Sequence, residues 1–194
     1  MSDLSLNEVE SLALKVARGA GYSWGLAEDV TRATGAMARR GLPWAEALAG
    51  LARDGGAWRA ASPEDWRRRD DADATPLCPV RLAARLIDDP SLLDEGPLQI
   101  AGVGLPVWIS AVLAAYDLGD QFDVDWPGGD VSTRVADVTI SPRPTSRPPE
   151  PLRRRGVVDD GILAELGVVA ARVYVPSSEG SRVRGAGGGS VDDE

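Results

Sequence analysis

Arg18, Gly19, Ala20 and Gly21 are followed at once by Tyr22, Ser23 and Trp24, and the string Arg-Gly-Ala-Gly returns at Arg184–Gly187. Glycine lets a backbone approach a ligand closely, and a helix start offers free N–H donors. Tyr and Trp add apolar surface with a polar handle. Near the other end Tyr174, the hydroxyls of Ser177, Ser178 and Ser181, Glu179, Arg182 and Arg184 are gathered within eleven residues. Arginine reads a carboxylate or phosphate bidentately. The two stretches together predict a two-lipped site for a small anionic metabolite, a carboxylate before others. Arg18, Gly19, Gly21, Tyr22, Trp24, Tyr174, Arg182 and Arg184 would bind and wall it, while Ser23, Ser178, Glu179 and Ser181 would take part in proton transfer. The alternative for the first stretch is a turn between helices whose aromatics pack in the core. For the second it is a loose tail.

Composition narrows the chemistry. The 194 residues contain no histidine, which removes the usual general base, the Ser-His and Cys-His pairs and every His-containing metal site. A net charge of −9 disfavours a nucleic-acid binder, whose affinity rests on clustered cations. The acids Asp117, Asp120, Asp123, Asp125 and Asp130 lack the spacing of a calcium loop, and strand alternation places Asp123 and Asp125 on a solvated face. Gly102-Val103-Gly104 lacks the third glycine of a dinucleotide fingerprint and is expected as a tight turn. No metal and no cofactor is implied. The one cysteine, Cys78, excludes an internal disulfide and is consistent with a reducing cytosol. It sits just before Pro79 at a helix start, where a nucleophilic thiolate competes with a buried or capping role.

Elements must then position these groups. Ser5 and Glu8 form a capping box for a helix over 5–18 that Gly19 ends. A second helix runs from Ser23 or Trp24 to Arg40, stopped by Gly41. A third starts with Pro43 at its first helical position and ends at Gly55-Gly56. Residues 62–76 are charged and proline-bounded, a surface excursion. Pro79 opens another helix, residues 98–102 form a buried strand, and a helix from Pro106 to Leu118 follows. The apolar run from Ile100 to Tyr116 is broken by Gly102, Gly104 and Pro106, so a core strand and helix fit it better than a membrane span. Alternation in 122–126 and 131–140 around Pro127–Asp130 predicts a hairpin in which Arg134 pairs with Asp123 or Asp125. The chain is expected as one α+β domain, an N-terminal helical layer packed on a small, mainly antiparallel sheet. Its parts are a helical part (1–60), an α/β part (77–140), a Pro/Arg connector (141–156), a last helix and extended segment (157–176), and a Gly/Ser-rich tail folding back (177–194).

The motifs GAGYSWGLAE (19–28) and, from Tyr174, YVP-x-S-x-x-SR-x-x-GAG resemble those of an uncharacterised bacterial family, a domain of unknown function. The resemblance implies that both ends belong to one unit and implies no reaction. The expected function is that of a cytosolic enzyme or binding protein for a small carboxylate, using isomerase, lyase or hydrolytic chemistry if catalytic. The competing class is a non-catalytic adaptor or accessory subunit, as a homo-oligomer or bound to another protein. No nucleic acid or membrane partner is expected. Convergence of 18–24 with 177–187 around a cavity would favour the first class, a flat apolar patch the second.

Overall fold

A computed structural model describes residues 1–54, 57–60, 66, 75–94, 96–143 and 152–174. A short strand, β1 (Ser2–Ser5), leads into α1 (Leu6–Gly19), α2 (Trp24–Arg40) and α3 (Trp44–Asp54). Then come α4 (Pro79–Asp88), β2 (Leu98–Gly104), α5 (Val107–Ala115), β3 (Phe122–Asp125) and β4 (Val135–Pro142). Finally β5 (Arg155–Val158) pairs back with β1, and α6 (Asp160–Ala170) ends in a 3-10 turn, Ala171–Val173. The fold is α+β. The helices share one apolar core with an antiparallel sheet of order β2-β4-β3, and β1-β5 forms a separate two-stranded sheet.

Local chemistry explains most boundaries. The Ser5 hydroxyl accepts from the Glu8 amide at 3.3 Å while the Glu8 carboxylate accepts from the Ser5 amide at 2.7 Å, completing the capping box. Gly19 does not stop α1; it is the last helical residue, and the positive φ falls two positions on, at Gly21 (93°). Gly19 is needed for another reason: a Cβ there would lie 2.1 Å from the Val169 carbonyl oxygen, so α6 packs directly on its backbone. Pro43 precedes α3 rather than entering it, its carbonyl accepting from Ala47. Gly55 and Gly56 lie outside the described residues. So does most of the 62–76 excursion, but Trp66 within it is buried, and its carbonyl accepts from Ala101.

The sheet corrects three expectations. Gly102-Val103-Gly104 is not a turn but the end of β2, where the register against β4 shifts between Ile100 and Val103, and Gly102 (φ 66°) absorbs the irregularity. β3 and β4 are not joined by a tight turn. Asp125 pairs with Thr139, so residues 126–134 form a long loop and the first half of β4 pairs only with β2. Arg134 therefore reaches Asp54 at 2.6 Å, and Arg143 pairs with Asp123 instead. β1 and β5 were not legible in composition, since residues 155–158 read partly as connector and partly as helix.

The most apolar helix of the core is α5, VWISAVLAA, which has no charged residue. Trp108, Ile109 and Val112 are fully buried, and the Trp108 indole donates to the Ala47 carbonyl at 3.3 Å. At its C-terminal end the Tyr116 hydroxyl donates to Asp29 at 2.5 Å and accepts from Arg32 at 2.6 Å, tying α5 to α2. Among the described residues no helix is long and apolar enough to cross a membrane.

The contact between α1 and α6 gives a direct test. Gly19→Ala forces Cβ onto a backbone carbonyl that cannot move alone, and should cost about 1–3 kcal/mol in urea unfolding. Gly25→Ala, where a Cβ would meet nothing within 4 Å, should be neutral or gain up to about 1 kcal/mol from helix propensity. Equal stabilities for the two variants would contradict the packing.

Candidate functional site

The first predicted lip is a structured turn. Arg18 donates to the Tyr22 carbonyl, and its guanidinium lies 4.6 Å from the centroid of the Trp24 ring. One helical turn earlier on α1, the Lys15 ammonium lies 5.8 Å from the centroid of Tyr174. Arg18, Trp24 and Tyr174 thus share one end of α1, with both rings 62% exposed and each beside a cation. Ser23 is exposed at the N-cap of α2, and its side chain makes no cap bond. Tyr22 turns inward and is buried. Its hydroxyl is 3.9 Å from the sulfur of Cys78, which is also buried and does not cap α4. Ser178, Glu179, Ser181, Arg182 and Arg184 lie outside the described residues.

A cavity opens elsewhere, between α2, α5 and β3, with a volume of about 490 Å³. It follows from α5. Val107, Ser110, Ala111 and Ala114 recur at helical spacing on one stripe, and they form one wall. Met37 from α2 and Leu113 complete a buried floor, while Phe122 and Val124 close the β3 side. The mouth is flanked by Leu42 and Leu152, which remain 40% and 62% exposed. Apolar side chains left in water at the mouth of an apolar cleft are what a bound apolar group would cover.

The polar lining is charged. Arg143, at the end of β4, donates Nε to Asp123 at 2.7 Å and NH1 to the Gly119 carbonyl at 3.0 Å, with Asp120 at 3.9 Å. The hydrogen bond to Asp123 raises the Arg143 pKa further, so this guanidinium is a permanent, largely satisfied cation that fixes β3 against the 117–121 turn. Arg40 is exposed and donates only to the Ala36 carbonyl, at 3.3 Å, among the described residues. Among the described residues nothing else accepts from its remaining N–H groups. Asp125 is exposed at the end of β3; its carboxylate makes no hydrogen bond among the described residues and adds to the negative field around Arg143. No group of three or more metal-ligating side chains occurs among the described residues.

None of these cleft residues was singled out as a binding group by sequence. A signal existed for three of them. Ser110 is the one hydroxyl in an otherwise apolar helix, and Asp123 and Asp125 alternate along a strand. Arg40 and Arg143 carried none, because which cation meets which acid depends on the register of β3 on β4.

A family model described as Protein of unknown function (DUF3726) covers residues 4–86. That span runs from the end of β1 into α4 and takes in the GAGYSWGLAE motif and the α2 side of the cleft. The α5 and β3 walls lie beyond it. No curated protein and no solved structure matches the chain.

The buried Tyr22–Cys78 pair predicts a pH effect. Burial raises the Tyr22 phenol well above its ordinary value of 10. The neutral phenol is thereby favoured in the folded state, a contribution fully present below pH 10 and lost as pH rises above it. Tyr22→Phe should flatten the fall of stability above pH 10, measured by urea unfolding at stepped pH. In the wild type Cys78 should resist a thiol reagent until the chain unfolds. Rapid labelling of the folded protein would contradict the burial.

Proposed function

We propose that the chain is a small-molecule binding protein whose cleft between α2, α5 and β3 holds an organic carboxylate with an apolar body. The observation that supports this best is the pairing of a buried apolar floor with Arg40, a cation whose donors are largely unused. The volume suits a metabolite, since such sites span about 300–1,000 Å³. Arg143 is not the anion reader, because Asp123 and the Gly119 carbonyl already occupy its donors. The apolar body would displace water from Met37, Ala111 and Val124 and cover Leu42 and Leu152, at roughly 25 cal/mol per Å² of apolar area removed from water.

The surface at the end of α1 supports a second reading, that of an adaptor. Trp24, Val173 and Tyr174 are exposed beside Lys15 and Arg18, and aromatic side chains flanked by cations favour protein contact. The two-lipped site would use the same surface, with Arg182 and Arg184 supplied by the tail.

Thermal shift against straight-chain monocarboxylates of increasing length separates these readings. Binding to the folded state raises the melting temperature, so the shift should grow with chain length until the cleft is filled. Arg40→Gln should weaken binding about tenfold by removing one charge-assisted contact, without lowering the ligand-free melting temperature. Trp24→Ser should leave the response unchanged. Loss of the response in Trp24→Ser but not in Arg40→Gln would move the site to the end of α1.

A further inference from the structure

We infer that the cleft selects a zwitterion, an α-amino acid with an apolar side chain, rather than a simple carboxylate; this rests on the reading of the cleft as a ligand site. The lining holds two cations, Arg40 and Arg143, and three anions, Asp120, Asp123 and Asp125. Arg143 and Asp123 neutralise each other at 2.5 Å. What remains for a ligand is one cation with unused donors and two exposed carboxylates, a balance of −1.

That balance sorts ligands by charge. A dicarboxylate or phosphate would add two negative charges to a lining that is already negative, and among the described residues the lining holds no second cation free to receive them. A monocarboxylate would satisfy Arg40 and leave both aspartates facing added negative charge. An amine would satisfy an aspartate and leave Arg40 without an acceptor. A ligand carrying both charged groups on one carbon pairs with both signs at once. Its carboxylate would take Arg40, and its ammonium would take Asp125 with Asp120 near it. Asp125 is the better ammonium acceptor because Asp120 is already drawn toward Arg143 at 3.9 Å. The floor of Met37 and Leu113 and the Val107 and Ala111 positions of the α5 wall are buried and apolar, with Ser110 the one hydroxyl of that wall, so the side chain entering the cleft is aliphatic or aromatic. Like-charge juxtaposition is thereby the element that rejects the wrong ligands.

Calorimetric titration of the full chain with leucine and phenylalanine tests this, each beside its des-amino acid (4-methylpentanoate, 3-phenylpropanoate) and its decarboxylated amine (3-methylbutylamine, 2-phenylethylamine). The amino acids should bind about tenfold or more tightly than either truncated form, the scale of one charge contact. Asp125→Asn should erase the preference over the des-amino acid, and Arg40→Gln the preference over the amine. Circular dichroism on both exposed-site variants would verify the fold. Des-amino acids binding as tightly as the amino acids would overturn the zwitterion and leave the carboxylate cleft standing. Amines binding as tightly would overturn both, as would no binding by any compound.

Discussion

α5 has no polar face, and that constraint organises the molecule. A nine-residue helix whose one hydroxyl is Ser110 must be covered on nearly every side. Trp108 turns toward α3, and α2 and α4 pack along it, with Tyr116 fastening its end to α2. β3 comes over the remaining side only as far as Arg143 allows, because that arginine pins Asp123 and the Gly119 carbonyl together. The uncovered remainder is the stripe Val107–Ser110–Ala111–Ala114. The cleft is therefore a consequence of how far the sheet reaches, bounded by charges that cannot follow the apolar wall inward.

Helices were legible because their signals are local. Ser5 with Glu8, Pro79 in the first turn of α4 and Gly41 after α2 each act within a turn of the boundary they set, and the structure has those boundaries. Gly19 misled for a physical reason. Its place at a helix end matched a stop signal, while its actual constraint is contact with Val169, some 150 residues away. The sheet was legible in its strands and not in its register. Alternation identified 122–126 and the return strand, but a hairpin with a long loop and one with a tight turn share the same alternation. Arg134 and Arg143 exchanged roles on that difference alone.

The candidate site shows the same limit. The turn from Arg18 to Trp24 was found in sequence, and its geometry is now specific, with Arg18 on the Tyr22 carbonyl and over Trp24, and Tyr22 directed at Cys78. The cleft combines residues from four stretches separated by up to about a hundred positions, none of them a motif. Only Ser110, within α5, and the acids along β3 stood out locally.

Methyl and amide NMR during titration with leucine gives the most direct test of the cleft. The account predicts that shifts concentrate on Met37, Arg40, Leu42, Ala111, Val124 and Leu152. Shifts centred on Lys15, Arg18, Trp24 and Tyr174, or none at saturating leucine, would contradict it.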